Sequence, residues 1–210
     1  MALWNEFAED VDPRPVFLRD GDDCYYARKY VSGGGYSASD ANQLISNFKK
    51  SPDKRGTGQW YYKELAAKQF AVELSKLLPE DYCVVIIPTS KPDDHPEYDP
   101  RFDMMLDCLR VLRPKLAIEH PIIRTAACQA LHTGGRRSIT EALQTLEWQG
   151  FDGDTPDKVV LVDDVITCGT NFKACQRLLR LNCPGIEISG VFWARTVWLT
   201  GDEPEWDLTD

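Results

Sequence analysis

The sequence predicts an α/β domain built on a doubly wound parallel sheet, and three observations carry that prediction. Cys83 to Ile87 (CVVII) and Lys158 to Val162 (KVVLV) are continuous apolar runs rather than alternating ones, the pattern of strands covered on both faces. Ile186 to Ala194 (IEISGVFWA) is a third strand-like run, rich in β-branched and aromatic residues. Between the runs lie stretches with helical spacing, so strand alternates with helix and right-handed crossovers wrap the helices over both faces.

Each element follows from local signals. Residues 1–23 are polar, acidic and proline-containing, a lead-in segment. Cys24 to Val31 (CYYARKYV) reads as a strand ended by Ser32-Gly33-Gly34-Gly35. A helix is expected from Ser39 to Lys49, capped by Ser39 or Asp40. Gln59 to Leu78 reads as a long amphipathic helix that buries Leu65, Phe70, Leu74 and Leu77 and stops at Pro79. After the strand at 83–87, Asp99-Pro100 offers a cap followed by a first-turn proline, opening a helix to about Leu112. A short strand is expected within Leu116 to Arg124, and helices over Arg136 to Leu146 and Asn171 to Leu181. The aromatic group Tyr25, Tyr26, Tyr30, Tyr36, Trp60, Tyr61 and Tyr62 is expected in a small N-terminal hood, as a subsidiary core or as a stacking surface. One domain then spans 24–200, followed by an acidic tail at 201–210.

Composition bounds the function. A chain of 210 residues, 43% hydrophobic and 27% charged, buries a real core. No apolar run approaches the roughly 20 residues that span a bilayer, and the N-terminus has acids where a signal peptide carries a basic and then an apolar region. A cytoplasmic location is expected. The net charge of −9 argues against direct nucleic-acid binding, which needs a basic face. Positive residues still cluster at Lys49, Lys50, Lys54 and Arg55, and at Arg124, Arg136 and Arg137. Seven cysteines without a CxxC pair indicate free thiols in a reduced compartment and no structural zinc.

The segment that carries chemistry is KVVLVDDVITCGTN, Lys158 to Asn171. An apolar strand ends in paired aspartates, and a short Thr/Gly loop leads into a helix. Ligands of open α/β sheets bind outside the carboxyl ends of the strands. Backbone amides at a helix N-terminus lack internal partners and suit a phosphate. Gly169 permits close approach, and the Thr167 and Thr170 hydroxyls can donate to phosphate oxygens. Asp163 and Asp164 are acceptors at about a ribose's distance from that phosphate, suited to vicinal hydroxyls and to stabilising an oxocarbenium-like transition state. Cys168, beside the helix start, is expected to face the loop and react faster than a thiol in the buried strand, such as Cys83; the alternative is an inert thiol packed inward as a small apolar residue.

These residues resemble the phosphoribosyl pyrophosphate (PRPP) signature of type I phosphoribosyltransferases: apolar residues, two acids, two apolar residues, then a Thr/Gly loop. Cys168 stands where the family has Thr or Ala, and Asn171 where Thr, Ser or Ala is common. Thr167 replaces the Asp that purine-salvage members use as a base. A broader resemblance, from about residue 40, is to ComF-like phosphoribosyltransferases: ISNFKK at 45–50, IIPTS at 86–90, IIRTAACQALHTGGRRSITEALQ at 122–144 and GVFWART at 190–196. Their N-terminal zinc finger is absent. Their Arg-rich stretch after the Pro loop is replaced by Asp93, Asp94, Glu97 and Asp99, leaving Lys91 and Arg101 as its cations.

The resemblance implies the fold, PRPP as substrate, and transfer of phosphoribosyl to an unidentified nitrogen acceptor with release of pyrophosphate. It assigns the 5′-phosphate to Thr167, Cys168, Gly169, Thr170 and Asn171, and the pyrophosphate to Thr89, Ser90 and Lys91. Asp163, Asp164 and Arg137 are the catalytic candidates. Mg²⁺ is expected as cofactor, neutralising the leaving group and reaching Asp163 and Asp164 only indirectly. Arg124, Arg136 and Arg137 belong to a segment that closes over the reaction centre or to surface ion pairs; Gly134-Gly135 gives it freedom, and His132 is a loop histidine. A homodimer is compatible with the family. Two other readings are a PRPP- or nucleotide-sensing module without catalysis, and a partner subunit in DNA uptake or defence.

Overall fold

A computed structural model describes residues 4–7, 15–127 and 138–199. Its elements run β1 (Asn5–Glu6), β2 (Asp23–Val31), α1 (Asp40–Phe48), α2 (Gly58–Ser75), β3 (Cys83–Ile86), α3 (Arg101–Leu112), β4 (Ala117–Glu119), β5 (Ile122–Arg124), α4 (Ile139–Leu143), β6 (Leu146–Trp148), β7 (Lys158–Ile166), α5 (Thr170–Asn182) and β8 (Glu187–Val197). The main sheet has the order β1-β2-β8-β7-β3-β4. Strands β2, β8, β7, β3 and β4 are mutually parallel, and only the two-residue β1 runs antiparallel, on β2. The fold is the doubly wound α/β architecture that the apolar runs predict.

The two faces of β7 carry two cores. Val160 and Val162 pack with Phe48 of α1, Ala67, Phe70 and Leu74 of α2, and Met105 and Leu109 of α3. Val159 and Leu161 pack with Ile139 of α4 and with Phe172, Cys175 and Leu179 of α5. Each such side chain withdrawn from water contributes on the order of 1.5–3 kcal/mol. Trp193 of β8 anchors the first core: its ring stacks on Phe70 with centroids 4.6 Å apart, and its Nε1–H donates to Glu73 Oε2 at 2.5 Å. That indole bond lets a large amphipathic ring be fully buried.

Four local expectations are corrected by the structure. The buried stripe of α2 is Lys63, Ala66, Ala67, Phe70, Ala71 and Leu74; Leu65 lies off it and is exposed. The strand expected within 116–124 is two strands, divided at His120-Pro121: β4 joins the main sheet, and β5 pairs antiparallel with β6 in a separate ribbon. The described helix after residue 138 is one short turn, capped by a Ser138–Glu141 capping box, and Leu146 belongs to strand β6 rather than to that helix. Strand β7 runs on to Ile166, because Val165 and Ile166 continue pairing with Ala194 and Arg195. Asp163 and Asp164 therefore sit within the strand, not after it.

The aromatics assigned to a hood are distributed. Tyr25, Tyr26 and Tyr30 lie in β2 of the main sheet, Tyr26 against Phe7, while Tyr61 and Tyr62 are exposed on α2. Among the described residues, no helix is long and apolar enough to cross a membrane.

Candidate functional site

The sheet order places the site. From β3 the chain passes through α3 to β4, and from β7 it passes through α5 to β8, on the opposite side. The carboxyl ends of β3 and β7 therefore flank the point where strand order reverses, the ligand-binding position of doubly wound sheets. The pairing extends one residue past β3, with Ile87 N–H donating to Val162 O at 2.9 Å. The loops that open there are Pro88 to Pro100 and Thr167 to Gly169.

On the α5 side lies a small recess of about 50 Å³, lined by Asp163 and by the loop from Val165 to Phe172. Gly169 is the N-cap of α5 with φ 92° and ψ 3°, the left-handed region that glycine occupies without strain. It aims the first amides of a 13-residue helix at the recess, where they lack intrahelical partners. The hydroxyls of Thr167 and Thr196 are 3.2 Å apart. Cys168 lines the recess but is buried, and its sulfur lies 2.9 Å from the buried Thr170 hydroxyl. The loop residues expected to take the phosphate, Thr167 to Asn171, all line this recess.

On the β3 side is an open cleft of about 490 Å³, lined by Lys49, Thr89, Ser90, Lys91, Asp99 and Arg101, among others. The three residues expected to hold pyrophosphate are thus gathered there, but the Lys91 ammonium is paired with Glu97. Arg124 is buried rather than on the surface. Its buried guanidinium staples the loop, donating from Nε to Thr89 O at 2.7 Å and from Nη2 to Pro88 O at 3.0 Å. Arg136, Arg137, His132, Gly134 and Gly135 lie outside the described residues.

Between recess and cleft stand the two acids. Asp164 is buried, with Oδ1 2.9 Å from Lys49 Nζ and Oδ2 2.8 Å from Arg101 Nε. Burial pushes its carboxyl upward, but the charges and hydrogen bonds of Lys49 and Arg101 outweigh that and hold it below the usual carboxylate range. Asp163 is partly exposed, lines the recess, and accepts from the Asp164 amide at 2.7 Å. Burial, and then the neighbouring Asp164 charge, push its carboxyl well above the usual range. The pair splits into one clamped carboxylate and one adaptable acid.

The grip on Asp164 was missed by sequence reasoning. Lys49 read as part of a surface cluster and Arg101 as a leftover cation of the acidic loop. The only local signal was position: Lys49 is the C-cap of α1, and Arg101 opens α3. The two oxygens of Asp164 are taken by these cations, and among the described residues no group of three or more His, Cys, Asp or Glu is placed to hold a metal.

No family model matches the sequence, and no curated protein matches it. Among solved structures, the chain is similar to adenine phosphoribosyltransferase from Leishmania tarentolae, at 11% identity, covering 85% of this chain and 94% of that one with a TM-score of 0.35.

Proposed function

We propose that the crevice binds PRPP and that the chain is a phosphoribosyltransferase of the type I, ComF-like kind. One observation carries the reading: Asp163 and Asp164 stand at the switch point between an amide-lined recess and a cation-bearing cleft. Those parts match the three parts of PRPP, with the 5′-phosphate on the α5 amides, the ribose hydroxyls on the acids, and the pyrophosphate in the cleft. Asp163, the partly exposed acid, is the ribose acceptor. Lys49 and Arg101 supplement Thr89, Ser90 and Lys91 toward the diphosphate.

In the proposed reaction a nitrogen nucleophile bonds to C1 of the ribose while the C1–oxygen bond breaks. Pyrophosphate leaves with the electron pair, and the nitrogen loses its proton to solvent or to a nearby base. Positive charge building on the ring is stabilised by the acids beneath it. Mg²⁺, bound with the substrate's diphosphate, would supply charge neutralisation of the leaving group. The acceptor is a nitrogen compound still to be identified.

A second reading, a PRPP-sensing module without turnover, is favoured by two pairings. Lys49 and Arg101 already hold Asp164, and Glu97 holds Lys91, so charge that would receive a leaving group is engaged within the protein. Calorimetry with PRPP and Mg²⁺, combined with pyrophosphate release across a panel of nucleobases and amines, separates the two. Binding with release is the expected result. Binding without release for any acceptor establishes the sensor, and absence of PRPP binding overturns both readings.

A further inference from the structure

Lys63 of α2 is entirely buried, a state lysine adopts only when paired. An ammonium has three protons, and here three acceptors meet it: Phe48 O at 2.7 Å, Lys50 O at 2.8 Å and Asp99 Oδ1 at 2.5 Å. These partners bracket the two cations of the crevice. Phe48 and Lys50 flank Lys49 in the chain. Asp99 accepts from Arg101 twice, from its Nη1 at 3.1 Å and from its backbone N–H at 3.2 Å. Lys49 and Arg101 then take one oxygen each of Asp164.

We propose that Lys63 is a positioning residue whose buried ammonium holds Lys49 and Arg101 where they grip Asp164. A lysine that merely fastened α1 to α2 would need only the two carbonyls. The third bond carries its hold across to α3 and to the opposite oxygen of Asp164. Alternating charge then runs Lys63, Asp99, Arg101, Asp164, Lys49, and it closes on itself because Lys63 binds the carbonyls on either side of Lys49. Each carboxylate is flanked by two cations, so displacing Lys63 loosens both arms at once. The consequence for substrate rests on the PRPP reading; the geometric claim does not.

The test follows the Arg101 Nε–Hε group by ¹H–¹⁵N spectroscopy, assigned by its loss in Arg101→Lys, in the wild-type chain, in Lys63→Met and in Leu74→Ala. Leu74 is buried on the same helix and outside the network, so its truncation reports destabilisation alone. The expected result is a proton protected from exchange in the wild type and in Leu74→Ala, exchanging at least about tenfold faster in Lys63→Met. PRPP affinity should fall about tenfold to a hundredfold in Lys63→Met, while affinity for inorganic phosphate at the α5 amides stays unchanged. Unaltered protection of Arg101 in folded Lys63→Met overturns the proposal, as does equal loss in Leu74→Ala. If Lys63→Met does not fold, Asp99→Ala removes the acceptor that joins Lys63 to Arg101, and protection persisting there overturns the proposal. A wild-type chain that binds no PRPP sinks the functional reading, and the Arg101 signal still decides the role of Lys63.

Discussion

Arg101 and Asp164 are 63 positions apart in the chain and form one ion pair, Nε to Oδ2 at 2.8 Å. Lys49 closes on the other oxygen of the same carboxylate. The two neighbouring aspartates therefore do different work, and substitution separates them. Asp164→Asn leaves a nearly buried guanidinium underpaired and is expected to cost about 3 kcal/mol, the low end for a broken buried pair because Lys49 is half-exposed. Asp163→Asn is expected to leave stability unchanged or higher at neutral pH, yet to weaken PRPP binding about 10- to 100-fold through lost charge-assisted bonds to the ribose. Urea denaturation read beside calorimetry on each folded variant checks both, and the double variant should bind no PRPP.

The same division predicts a pH dependence. Asp163 is shifted upward in the folded state, so between about pH 4, where an unfolded aspartate titrates, and its raised value the folded chain holds more protons. Its ionisation then opposes folding as pH rises. Asp164 is shifted downward, so its contribution is present above about pH 4 and is lost as pH falls through its folded value. The stability gap between Asp163→Asn and wild type should be small near pH 5 and widen in favour of the variant at pH 8. A gap that narrows over this range would contradict the assignment of the adaptable acid.

Arg124→Leu should act on the loop without touching the acids. It strips the bonds to Thr89 O and Pro88 O, leaving part-buried carbonyls without that donor at a cost of about 1–2 kcal/mol. The urea midpoint should fall with the slope unchanged. Hydrogen exchange at the amides of Thr89, Ser90 and Lys91 should quicken more than at β7.

The α5 recess should capture a simple anion. Crystals grown in sulfate are expected to show an ion on the amides that follow Gly169. Gly169→Ala forces a side chain into the left-handed region at φ 92°, costing about 1–2 kcal/mol, and should weaken phosphate affinity. The space around that position is not the obstacle, since an added Cβ meets nothing closer than 3.7 Å. An ordered loop whose amides bond elsewhere in the chain would count against the cradle.

Much of the architecture was legible because its causes are local. The runs at 83–87, 158–162 and 186–194 must be covered on both faces, which already implies helices on either side of a parallel sheet. The order of strand, paired acids, Gly169 and helix is likewise a property of a short segment, so recess and acids could be named by residue. Where several local signals were balanced, the reading slipped. Val165 and Ile166 extend β7 because β8 is there to pair with them, and Leu65 is exposed because tertiary packing chose another stripe of α2.

The sequence by itself determined which residues lie at the switch point: the two acids, the left-handed glycine and the loop after β3. Only the tertiary structure decided how they are charged and held. Lys63 meets Asp99 and Arg101 meets Asp164 because α1, α2 and α3 pack on one face of the sheet, bringing their ends to the carboxyl edge of β7. Such pairings depend on distance through space, where Coulomb energy falls with separation and rises with burial. Nothing in the local order of residues records that distance.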